Sequence, residues 1–153
     1  MRGTDDSGKA FDEVAVGESF SRTVTITETH LVLGAGLIGD FNPHHTDEVY
    51  AKGQRFGTRV LHGMLTSAMM GAPVGMYFYG TAIAYLEHNA RFVAPVRPGD
   101  TLTTTWTITA LDAKPKHRGG IVVLRGVARN QDGVTVAEAE GRIMVHVREA
   151  VGT

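Results

Sequence analysis

From Gly63 to Leu86 the chain carries no charged side chain, so any fold it adopts must bury that stretch or place it in a membrane. The length would suffice for a bilayer, which takes about 20 consecutive apolar residues. The composition argues against a span, because Gly71, Pro73, Gly75 and Gly80 interrupt the run together with Thr66, Ser67 and Thr81. In the first half, Met64, Leu65, Ala68, Met69 and Ala72 recur at helical spacing. That predicts a helix opening at Gly63, buried nearly all round and kinked or shortened at Pro73. The methionines act there as adaptable core filler. The second half is aromatic and β-branched, which predicts a buried strand.

Around this stretch the periodicity changes. Upstream, Phe20, Arg22, Val24 and Ile26 alternate with Ser21, Thr23, Thr25 and Thr27 as in a half-buried strand. Thr27 and Glu28 then suit the start of a short helix with Leu31, Val32, Leu33, Ala35 and Leu37 on its apolar face. Thr46 or Asp47 can cap a second short helix that stops at Gly53. Downstream, Ile83 to Val93 reads as a long strand. Leu102, Thr104, Trp106 and Ile108 alternate with threonines as a second, and the segments from Ile121 to Arg129 and Val134 to Val147 form a hairpin about Asp132-Gly133. A helix-rich segment followed by consecutive strands indicates an α+β fold.

Composition narrows the function classes. A chain of 153 residues, 42% of them hydrophobic, suits one domain with one core. We assign residues 11–148 to it and residues 1–10 to a flexible tail. That tail has no apolar run resembling a secretory signal, which points to a cytoplasmic protein. A net charge of -1 gives no reason to expect a nucleic acid or anionic membrane partner. With no cysteine, disulfides, thiolate nucleophiles and zinc-thiolate sites are excluded.

The candidate site is Gly39-Asp40-Phe41-Asn42-Pro43-His44-His45. Five residues apart, Asp40 and His45 would diverge by roughly 140° on a helix and face opposite sides of a strand. Asn42-Pro43 breaks regular structure, so a loop can bring the acid and the imidazole to one point. From spacing alone the alternative is that Asp40 and Asn42 form a turn and His45 is an ordinary surface residue. Gly39-Asp40-x-Asn42-Pro43-x-His45, with Asp47, Ala51 and the later His62-Gly63-Met64, resembles the signature of the MaoC-like dehydratases and R-specific enoyl-CoA hydratases. The likeness runs from about Phe11 to Val147.

That resemblance implies a hot-dog fold, an antiparallel sheet wrapped around a long central helix beginning at Gly63. It implies hydration of a 2-enoyl thioester carried on CoA or acyl carrier protein, in a homodimer, with neither cofactor nor metal expected. Asp40 and His45 would share base and acid roles around one water, and the Gly63 amide at the helix start would hold the enolate oxygen. Asn42, His62 and Ser67 are supporting candidates. Ser67 stands beside Ala68, where some members of the family carry a site serine. Arg59, Lys116 and Arg118 are candidates for the CoA phosphates, with solvated loops as the alternative. Two rival functions remain, an acyl-CoA thioesterase and a non-catalytic acyl-CoA-binding subunit. The first lacks any Asp or Glu from Gly63 to Tyr77, and the second leaves the Asp40/His45 pair unexplained.

Overall fold

The computed structural model describes residues 8–148. Five strands, β1 (Ser19–Thr25), β2 (Ala82–Phe92), β3 (Thr101–Lys114), β4 (Gly119–Arg129) and β5 (Thr135–His146), form one antiparallel sheet in the order β1-β3-β4-β5-β2. Helix α4 (Gly63–Tyr77) lies against its inner face and touches β1, β2, β3 and β5. This is the hot-dog arrangement of the α+β class. No helix among the described residues is long and apolar enough to cross a membrane.

The alternation read from sequence sets the core. Leu102, Thr104, Trp106 and Ile108 are buried under the sheet while Thr103 and Thr109 face out. Trp106 anchors the helix: its ring lies so close to Gly126 that a methyl there would approach it to 2.8 Å. Its Nε1–H donates to the Met70 carbonyl at 2.7 Å. Burying a side chain of this kind stabilises by roughly 1.5–3 kcal/mol.

Several expectations are corrected. α4 runs through Pro73 to Tyr77. It is buried on one side only, at Thr66, Met70, Pro73 and Val74, while Met64 and Met76 are exposed. β2 is an edge strand rather than a buried one, with Ile83, Tyr85 and Leu86 exposed in the single chain. A sheet edge needs no second neighbour to exist, so apolarity alone did not reveal its place. Of the tail assigned to residues 1–10, residues 1–7 lie outside the described part. Gly8 and Lys9 are docked by N–H bonds to the Tyr79 and Tyr77 carbonyls, and Ala10 is fully buried.

Between β1 and α4 the chain forms a helical overhang, α1 (Glu28–Ile38), α2 (Pro43–Thr46) and α3 (Glu48–Lys52). α1 buries Leu31, Gly34 and Ala35 and leaves Val32, Leu33 and Leu37 exposed, a narrower buried face than predicted. Gly34 is required there, since a Cβ would stand 2.0 Å from Leu65 Cδ1.

Candidate active site

The site is assembled where the overhang meets the start of α4. Gly39 ends α1 in the left-handed region at φ 74°, a conformation that favours glycine, and turns Asp40 out of the helix. Asp40 Oδ1 then accepts the Asn42 N–H at 3.1 Å, and Asn42 Oδ1 accepts the His44 N–H at 3.1 Å, capping α2 with Pro43 in its first turn. His45 is thus delivered by a helical turn where a loop was expected. Asn42 shapes that turn, and none of its hydrogen bonds reaches the His45 ring.

Val60 grips the turn twice. Its N–H donates to the His44 carbonyl at 3.1 Å, and its carbonyl lies 2.7 Å from His45 Nδ1. A carbonyl only accepts, so His45 Nδ1 carries a proton, and in the neutral ring Nε2 is left as a free base. Asp40 Oδ2 stands 3.8 Å from that Nε2, beyond a direct hydrogen bond. The Asp40 side chain is about half exposed and that of His45 only 16%.

His62 is fully buried. Its Nε2 lies 2.9 Å from the Asp40 carbonyl, which assigns the proton to Nε2 and leaves Nδ1 buried without a partner among the described residues. Its ring stacks on His45, with centroids 3.8 Å apart and 26° between planes. His62 is therefore the floor on which His45 rests. Asp40, His45 and His62 bring potential ligand atoms within 4.8 Å of one another.

His62 also precedes the first turn of α4. The first N–H groups to bond within that turn are those of Leu65 and Thr66, both to the His62 carbonyl, so the Gly63 and Met64 N–H groups have no acceptor among the described residues. A cavity of about 360 Å³ opens here, lined by His45, Gly63 and Thr66 and closed by Phe56, Phe92 and Val96. The Asp40 side chain is not part of this wall and meets it across the gap to His45 Nε2. Phe92 lies over Gly63, where an added Cβ would sit 3.0 Å from the ring.

The chain's Asp40, Asn42, His45, His62 and Gly63 are thus neighbours. The sequence profile of the MaoC like domain matches residues 13–129. The chain belongs to the MaoC-like domain family. Among its relatives, an (R)-specific enoyl-CoA hydratase of Rhodospirillum rubrum is 38% identical over 138 residues, covering 90% of this chain and 92% of the relative. The R-hydratase PhaJ1 from Pseudomonas aeruginosa, solved without ligand, superposes with a TM-score of 0.81 at 31% identity, over 94% of this chain and 92% of that one. The (R)-hydratase from A. caviae involved in PHA biosynthesis gives 0.76 at 26% identity, over 88% and 98%.

Other expected residues of this MaoC-like chain fall elsewhere. Ser67 is not on the cavity wall; Thr66, its neighbour, is, with its hydroxyl donating to the His62 carbonyl at 3.3 Å. Arg59 is held by carboxylates, with Nη2 2.8 Å from Glu28 and Nε 3.2 Å from Glu48. Glu48 in turn is held below the usual carboxylate range, first by the Arg59 amide and then by Thr58 and the guanidinium. Arg59 thus fastens α1 and α3 to the residue just before Val60, and it is Arg55 that lines the cavity. Lys116 and Arg118 occupy the β3–β4 turn, at the end of the sheet away from Gly63. β4 alone separates that turn from the cavity end by about 35 Å. Thr66 and Phe92 were missed; helical spacing from Gly63 could have flagged Thr66, whereas no local signal places Phe92.

Proposed function

We propose that this protein adds water to 2-enoyl thioesters of CoA, or removes it from the 3-hydroxyacyl products, as its (R)-specific relatives are named for doing. The observation that carries the reading is the 3.8 Å gap between Asp40 Oδ2 and an unprotonated His45 Nε2, beside the unpaired Gly63 amide at a cavity wall. A water in that gap donates one hydrogen to each group. As its oxygen attacks Cβ of the enoyl chain, the pair takes a proton, and the carbon–carbon double bond shifts its electrons toward the thioester oxygen. The Gly63 N–H, at the positive end of α4, stabilises that enolate. A proton from the same pair then reaches Cα, giving syn addition.

Arg55, on the wall and without a carboxylate partner among the described residues, is the cation we assign to the CoA phosphates. The unpaired edge of β2, with Ile83, Tyr85 and Leu86 exposed, supports a homodimer built by pairing β2 with a second copy. The reading carries with it a cytoplasmic enzyme. Mixing the protein with crotonyl-CoA tests the activity: hydration removes enoyl absorbance without releasing thiol. Thiol release would mean a thioesterase, and neither signal a binding subunit; either result rejects the proposal. Sedimentation as a monomer at micromolar concentration would reject the dimer.

A further inference from the structure

A second cavity, of about 380 Å³, opens on the β1 side of α4, whereas the His45 cavity lies toward β2. Its walls are Val24 from β1 and Met69, Ala72 and Met76 from α4, and its polar groups include Arg22 and His30. Arg22 stands on β1 in the same row as Phe20 and Val24, opposite Thr104, and is itself exposed at the rim of the cavity. No ion pair or hydrogen bond of Arg22 occurs among the described residues. His30 Nδ1 accepts the Thr27 N–H at 2.9 Å, so the proton of the neutral ring sits on Nε2, a donor without a partner among the described residues. A charge on an edge strand can serve to block edge-to-edge pairing. That role accounts for Arg22 alone and requires neither the cavity nor a second donor beside it.

We propose that this cavity binds a medium-chain fatty acid, its carboxylate on Arg22 and His30 and its chain along Met69, Ala72 and Met76. The volume falls within the range of small-molecule sites, and an α-helix about 10 Å across is too thick for it. A cation without a counter-charge above an apolar trough matches an anionic head on an aliphatic tail, and flexible methionines suit a chain without fixed shape. The inference is independent of the enoyl chemistry proposed above.

Isothermal titration of the full-length protein with decanoate, below its micelle concentration, reads the site directly. One saturable event per chain is expected. Arg22→Leu should weaken it about tenfold or more, and Ala72→Phe should fill the trough and abolish it. Both variants are expected to keep the wild-type unfolding midpoint, which separates a filled site from a damaged fold. Absence of saturable binding overturns the proposal, as does binding that neither variant changes. Decanoate acting only as a competitor of crotonyl-CoA, insensitive to Arg22→Leu, would place it in the His45 cavity and also overturn it. The titration reads binding whether or not crotonyl-CoA is turned over, so it stands or falls apart from the hydratase reading.

Discussion

Asp40→Asn separates the turn from the chemistry. An asparagine oxygen can keep the 3.1 Å bond that Asp40 Oδ1 accepts from the Asn42 N–H. At the Oδ2 position, 3.8 Å from His45 Nε2, it places an NH2 group that donates where a carboxylate accepts. A water in the gap then loses one of its two acceptors and the negative charge that draws its proton. Because the Asp40 side chain is half exposed, no buried charge is stranded, and stability should change by no more than about 0.5 kcal/mol. Turnover should fall by about 10²- to 10⁴-fold, the usual worth of positioned acid-base catalysis. At about 1.36 kcal/mol per decade this adds ~2.7–5.4 kcal/mol to the barrier. KM should move little, since Asp40 is absent from the cavity wall. Loss of enoyl absorbance gives the kinetics and urea unfolding the stability. Near-wild-type turnover refutes the pair; a large loss accompanied by a lowered unfolding midpoint refutes the separation of turn from chemistry.

Four further outcomes are expected. Gly63→Ala keeps the amide but presses on Phe92 from 3.0 Å, so kcat/KM should drop and recover in part in the Gly63→Ala/Phe92→Leu chain; steady-state kinetics showing no recovery would argue against the steric cause. Arg59→Met should lower kcat with KM little changed, because Arg59 braces the segment that holds His45, whereas a rise in KM alone would return it to substrate binding. Trp106→Phe removes the indole donor to the Met70 carbonyl and part of the buried ring, and should cost about 1–3 kcal/mol in urea unfolding. Glu13 is held down to about 2, first by its hydrogen bond from Arg148 and then by the Ala10 amide. A lowered carboxylate stabilises fully above its ordinary value of 4.5 and loses that contribution as pH falls toward about 2, so the protection of the Gly8 and Lys9 amides against hydrogen exchange, taken relative to the intrinsic rate at each pH, should fall over that interval.

The strand carrying Trp106 was legible because period two needs only neighbours in the chain, and Thr27, Asp47 and Asp132-Gly133 marked ends by local hydrogen bonding and backbone preference. The same rule fails on β2. A bulge between Tyr85 and Glu87 shifts the alternation, so Tyr85 and His88, three apart, meet on one face with Oη 2.7 Å from Nδ1. Charge alone could not sort Arg59, Lys116 and Arg118, because a basic residue in a loop looks alike whether it faces a substrate, a carboxylate or the far end of a sheet.

By itself the sequence determined the elements, the α+β class and the motif string in which Asp40, His45 and Gly63 stand as candidates, since cap, turn and alternation are short-range properties and the motif is a short string. Only the tertiary structure decided which groups meet. The Val60 carbonyl orients a histidine fifteen residues earlier in the chain, His62 lies under that ring, and Phe92 comes over Gly63 from the opposite layer. Those contacts arise from burying the overhang, α4 and the sheet against one another, and no pattern of neighbouring residues encodes which surfaces will share a core.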